Sequence, residues 1–454
     1  MRLALALTVF AFGCGGGGGG GDGDGGGDGG GGDGDGGPPP TATLPERLAV
    51  STVEAPAGVK AGVSNWRIWG RSSLRVAPVF TVPYADCGTL VGYTTGTAGA
   101  PRARVARLDA SDQLVTTHDL GAYELRGLAA EPDGHFGALL WDATPDPPVL
   151  HLRRSTAAGA QISSTALVDT MAAPTDFGIG ESRLEFGGGR YGAYYHVHGI
   201  AGSLDGHEGD QLKWVDAATG AMTNGWTWGC SHSMSELLRY EPTANRFLPV
   251  CVTDCYPGTS GTPFATTSIG GIYLDRNRRV LNVNAGCNGS VAGELGGAAP
   301  APGGWKLVFN AHQAPATTGQ SSYDAATMNQ DIGFTSIASD LTPGPVVWLT
   351  TTAGNEQNAT IARWQPAGDD AEQYVVGWSE RPTPAYKLAI VSATGTILAA
   401  PVDVTGAVAW GERDDPFRTH ANGDIVWTWF DAAGATSFRF ARLRSGRTAT
   451  CTPL

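Results

Sequence analysis

Between Tyr194 and Asn288 the chain gathers four of its nine histidines and four of its seven cysteines. His196 and His198 stand two residues apart, so on a strand both point to one side, a geometry suited to two metal ligands. His207, Glu208, Asp210 or His232 would complete such a site. Zinc or copper suits imidazole with carboxylate, whereas Asp205, Glu208 and Asp210 alone would suit calcium. The same groups would equally serve as hydrogen-bonding side chains on a glycine-rich rim.

Cys230, Cys251, Cys255 and Cys287 allow three pairings. Four residues of strand hold Cys251 and Cys255 about 13 Å apart, too far to bridge. If Pro242–Asn245 is a hairpin turn, Cys230 falls near Cys255, leaving Cys251 for Cys287. Disulfides are the commoner use of such cysteines in an exported chain, and a redox or cysteine–metal centre is the sharper alternative. Further polar candidates are Asp254, His312, Glu356, Glu412 and Asp414. Arg413 would pair with its acidic neighbours to buttress a turn. Ser231-His232 lacks a nucleophile elbow, and no phosphate loop, dinucleotide fingerprint or HExxH helix is present.

The elements that must position these groups are strands. After residue 41 helical periodicity gives way to short apolar or alternating runs separated by Gly, Pro, Asp and Asn. One run recurs as Thr89–Tyr93, Gly137–Trp141, Gly192–His196, Leu248–Val252, Lys306–Asn310, Tyr374–Trp378 and Asp424–Thr428. The repeat is about 56 residues, the size of a four-stranded propeller blade. The expected fold is therefore all-β: a propeller of seven four-stranded blades, each run supplying strand B, second from the axis. Tight turns at Pro132–Gly134, Gly187–Gly189, Pro242–Asn245 and Ala421–Gly423 would join strands A and B. Blade 7 lacks a clear fourth strand, and residues 41–75 are free to supply it. A Cys87–Cys451 disulfide would then staple the closure. The alternative, a pair of β-sandwiches, would need a break in composition near mid-chain, and there is none. Trp226-Thr227-Trp228 and Trp427-Thr428-Trp429 read as blade core.

Strand direction sorts the loops. B–C loops and D–A connections share one face, and the long ones, His196 to Asp210, Asp254 to Ser268 and His312 to Asp331, lie there. So do the links holding Cys230 and His232, Cys287, Glu356, and Glu412 with Asp414. Function usually sits on long loops over a rigid scaffold.

The first residues give an address. Arg2, an apolar run from Leu3 to Phe12 and then Gly13-Cys14 read as a signal peptide over 1–13, with Cys14 lipidated. Residues 14–40, nearly all Gly, Asp and Pro, read as a disordered tether able to span roughly 28 Å. The expected location is the cell surface or the outer membrane, the lipid being the only membrane contact. Residues 41–454 form the body. The net charge of −13 argues against a nucleic-acid partner, which calls for clustered Lys and Arg.

Three segments, Gly206–Asp210, Gly229–Ser233 with Asp254–Pro257, and Trp410–Asp415, resemble a group of uncharacterised bacterial envelope lipoproteins with propeller bodies. That resemblance implies the architecture and no activity. The sequence therefore predicts a monomeric binding or interaction module, meeting an envelope protein, a glycan or a small ligand on its loop-rich face in blades 3 to 7. A metal-dependent enzyme using His196, His198, His207 and His232 is the alternative.

Overall fold

The computed structural model describes residues 43–55, 58–59, 79–97, 99–174, 182–230, 235–253, 271–276, 278–282, 293–313, 329–410, 415–432, 434–448 and 451. Their strands form seven antiparallel sheets, the blades of a seven-bladed β-propeller. From the axis outward, blade 1 runs Val79–Pro83, Thr89–Thr97, Ala100–Leu108 and Leu114–Gly121, and blades 2 to 6 repeat this order. Each recurrent run lies in a second strand, such as Phe136–Asp142, Arg190–Gly199 and Arg246–Thr253; only Asp424 falls one residue outside its strand, Ile425–Trp429. In blade 3 the inner strand is in two pieces, Ala172–Pro174 and Ser182–Gly187, both paired with Arg190–Gly199.

One strand shows why these sequences make blades. In Arg190–Gly199, Tyr191, Ala193, Tyr195 and Val197 pack toward blade 2, while Tyr194 packs toward blade 4. A strand buried on both faces needs apolar side chains at nearly every position, so it reads as a short continuous run. The described core falls into seven apolar clusters, one for each seam between adjacent blades. Trp226, Trp427 and Trp429 are buried in these seams, as the indole spacing predicts. Each fully buried side chain of this size is worth roughly 1.5–3 kcal/mol.

Ring closure uses the free N-terminal segment. Leu48–Glu54 pairs antiparallel with Ser437–Leu443 as the outermost strand of blade 7. Cys87 and Cys451 are joined, Cα atoms 5.4 Å apart, across the same closure. Arg442 of blade 7 adds a fork onto Asp112 of blade 1, with Nη2 2.6 Å from Oδ1 and Nε 2.9 Å from Oδ2.

Two expectations change at this level. Strands B and C of blade 3 extend to Gly199 and from Glu208, so His196–Asp210 is no long loop; only 200–207 connects the strands. The amide of Gly199 donates to the His207 carbonyl at 2.7 Å, which continues the ladder into the turn. Likewise Glu356 belongs to the inner strand Asn355–Trp364 and is buried, rather than standing in a connection.

Candidate functional site

Register brings the predicted groups of blade 3 together. His196 is opposite Asp210 and His198 opposite Glu208, so all four side chains share the face turned to blade 4. Glu208 holds both imidazoles: His196 Nε2 donates to Oε2 at 2.7 Å, and His198 Nδ1 meets Oε1 at 2.8 Å. From blade 4, Glu236 places Oε1 3.7 Å from His196 Nδ1. Asp210 accepts from the Tyr194 hydroxyl at 2.7 Å and from the Trp226 indole at 2.9 Å. His196, Asp210 and Glu236 are buried, whereas the His198 side chain is 35% exposed. The network thus runs from solvent at His198 inward to the seam.

Its electrostatics follow from burial set against neighbours. Burial opposes charge on His196, yet the hydrogen bond to Glu208 and the charges of Glu208 and Glu236 outweigh it and push the imidazole up to about 9. Burial would raise Glu208 too, but His196 and His198 hold it below the usual carboxylate range. For Asp210, burial and the charge of Glu236 prevail over the Tyr194 and Trp226 hydrogen bonds and raise the carboxyl to about 7.

The link from blade 3 to blade 4 folds over Asp210. The Gly229 amide donates to the Asp210 carbonyl at 2.8 Å. A Cβ on Gly229 would lie 1.8 Å from Asp210 Oδ1, so any side chain here would have to displace the Asp210 carboxylate. The link then delivers Cys230 to Cys251, with Cα atoms 6.6 Å apart. This corrects the expected pairing of Cys230 with Cys255 and of Cys251 with Cys287. The Pro242–Asn245 turn forms, with Ser235 opposite Val252, but Cys230 is not part of that hairpin. It enters from the outer edge of blade 3 and meets the face of strand B that Cys251 turns toward blade 3. Cys255 and Cys287 lie outside the described residues, as do Cys14, His232, Asp254, Glu412 and Asp414. His207 is half-buried in the turn, one residue out of step with Glu208 and Asp210, and Asp205 is exposed there. His312 is half-buried just after the second strand of blade 5.

Glu236 is a member that motif reading missed. Its signal is positional: Ser235-Glu236, Gly293-Glu294 and Asn355-Glu356 each open an inner strand with glutamate second. In blade 6, Glu356 accepts from the Thr352 hydroxyl at 2.5 Å and the Thr350 hydroxyl at 3.3 Å. Burial first, and then the charge of Asp331, raise its carboxyl above the usual range.

In the Glu412–Asp415 stretch the described acid is Asp415. It is buried and takes Arg183 of blade 3 at 3.4 Å, Arg418 of blade 7 at 3.4 Å, and Arg239 of blade 4 in a close pair. Side chains from blades 3, 4 and 7 can meet only near the axis, so an ion-pair knot ties the ring across its centre.

Among the described residues, two acidic groups have cation-site spacing. Asp210 with Cys230 and Cys251 is one, but its sulfurs are joined to each other. Glu131 with Asp133 and His135 is the other, and there the Arg154 guanidinium already pairs with Glu131 at 2.6 Å.

Fold and seam define a seven-bladed propeller with a charged network at one blade junction. No family model and no curated protein matches the chain. Among solved structures it is similar to the Dos1 propeller, at 10% identity over 87% of this chain and 95% of that one, TM-score 0.43. It is similar to a Penicillium chrysogenum α-L-arabinanase complexed with arabinobiose, at 11% over 87% and 98%, TM-score 0.42. The polysaccharide lyase Uly1 gives 9% over 87% and 99%, TM-score 0.42. These likenesses concern architecture alone.

Proposed function

We propose that this protein is a binding propeller, carried at the cell envelope on a lipidated Cys14, that meets its ligand through the face of B–C loops and blade-to-blade links. One observation supports this reading over catalysis. Among the described residues beneath that face, two buried acids have both oxygens engaged: those of Glu208 take imidazoles, and those of Asp210 take aromatic donors. Such a network fixes the shape of a surface instead of presenting an acid, a base or a nucleophile to a substrate.

The alternative, a metal-dependent enzyme, draws on the flanking of Glu208 by His196 and His198 on one strand face. Two measurements on the full chain separate the readings. A photo-crosslinking residue at Ile200, on the loop-rich face, should capture an envelope component in cells, and one at Leu398, on the outer rim of blade 6, should not. The Cys14→Ser variant should leave the membrane fraction and lose the adduct. No adduct from Ile200 would sink the binding reading. About one zinc or copper per chain, lost in His196→Ala plus His198→Ala, would establish a metal site, and an activity lost with that metal would establish the alternative.

A further inference from the structure

On the opposite side of the ring, where the A–B and C–D turns of blades 3 and 4 meet a turn of blade 5, lies a cavity of about 240 Å³. That is below the range for drug-sized ligands and suits a single ring. Trp214 and Phe247 form one wall, their ring centroids 4.8 Å apart. The Arg190 guanidinium lies 4.5 Å from the Trp214 centroid and 5.5 Å from that of Phe247. It is held there by ring faces; among the described residues no acceptor is paired with its five N–H groups. Arg246 lines the cavity as well and uses Nη1 on the Ser339 carbonyl at 3.1 Å.

The floor is unusual. Asp275 and Arg276 form a turn at φ 47° and 62°, the left-handed region that favours glycine. Holding side-chain residues there costs of order 1 kcal/mol each, and such strain clusters at ligand sites. Arg276 is retained by the Trp226 ring 5.0 Å away and by donating to the Trp228 carbonyl at 3.2 Å. Asp275 gains no such partner: it is half-buried, lines the cavity, and has no side-chain hydrogen bond among the described residues. Leu341, at φ 67°, lines the same cavity. Gly225 also lines it, where a Cβ would meet Leu212 Cγ at 2.9 Å and the Trp214 indole nitrogen at 3.0 Å.

We propose that this cavity binds a pyranose ring carrying a carboxylate, such as a uronic acid unit of a glycan. The apolar C–H face of the ring packs on the half-buried Trp214, beside the Arg190 guanidinium stacked there. Arg190 and Arg246 receive the carboxylate, and Asp275 accepts a ring hydroxyl. Charge agrees with the assignment: the chain is −13 overall, yet Arg190 and Arg246 line the cavity with Asp275 as the one acid among its described lining residues. The site goes beyond the loop-face reading and stands or falls separately, because it uses the other side of the ring.

The test uses the full chain with methyl glucuronide, methyl glucoside and acetate as probes, followed by saturation-transfer NMR and tryptophan fluorescence. Glucuronide should bind at millimolar or lower concentration, with the sugar C–H protons saturated, and at least tenfold more tightly than glucoside or acetate. Arg190→Gln with Arg246→Gln should weaken it at least tenfold, and Asp275→Asn several-fold, in variants whose circular dichroism shows the fold retained. His198→Ala should leave it unaffected. Absent glucuronide binding, equal binding of glucoside or acetate, or binding untouched by the double Arg variant would each overturn the proposal.

Discussion

The seam between blades 3 and 4 and the seam between blades 5 and 6 each receive a glutamate from the second position of an inner strand. In the first, Glu236 stands 3.7 Å from a buried imidazole that Glu208 also holds. In the second, Glu356 and the nearby Asp331 share the Thr350 hydroxyl, and among the described residues no cation pairs with either. The same backbone position therefore carries opposite electrostatics. Where imidazole answers the carboxylate, the seam is held by charge; where hydroxyls answer it, the seam favours the protonated acid.

The sharpest way to break this contrast is to remove the imidazole. His196→Gln leaves Glu208, Glu236 and Asp210 facing one another in a buried seam, and we expect a loss of about 3–5 kcal/mol at neutral pH by denaturant unfolding. Lowering the pH should restore part of it as Asp210, raised to about 7, takes a proton.

The next test is pH dependence in the intact protein. The folded value of His196, about 9, lies above its ordinary 6.5. Its contribution, roughly 3 kcal/mol, is complete below the ordinary value and is lost as pH rises through that interval. Thermal melts of the wild type should fall across this range more steeply than those of His196→Gln.

A smaller effect is expected from Gly229→Ala. The added Cβ must displace Asp210 Oδ1, which would otherwise lie 1.8 Å away, at about 1–3 kcal/mol as for other overpacked sites. The Trp226 hydrogen bond should be perturbed with it, which indole N–H NMR would read.

The smallest change, and of opposite sign, belongs to the other seam. Glu356→Gln removes an acid whose ionisation is disfavoured, so stability at neutral pH should hold or rise by up to about 1 kcal/mol. The raised carboxyl of the wild type withdraws stability as pH climbs past the ordinary carboxylate value, and the variant should lack that slope. A marked destabilisation by Glu356→Gln would remove the distinction between the seams.

Much of this architecture was legible in the sequence for a physical reason. The second strand of each blade is covered on both faces, so it reads as an apolar run and repeats visibly from Thr89 to Thr428. Ring closure was legible because blade 7 lacked a strand and residues 41–75 lacked a partner. The spacing of His196 and His198 gave their common side, but what they face was hidden. Glu236 looked like any polar residue at a strand start until the ring brought it beside blade 3. The axial knot was hidden for the same reason, since Arg183, Arg239 and Arg418 come from separate blades and converge on Asp415 only in the closed ring. The Cys230–Cys251 bridge was misread because hairpin register was extended into a link that runs between blades.

The most direct test of the charged seam is a histidine-labelled NMR titration of the full chain, with His196→Gln used to assign the resonance. A single imidazole that stays protonated through neutrality and titrates near 9, missing from the variant, is the expected result. A His196 resonance that titrates at or below 6.5 would mean that burial outweighs Glu208 and Glu236, and the account of this seam would be wrong.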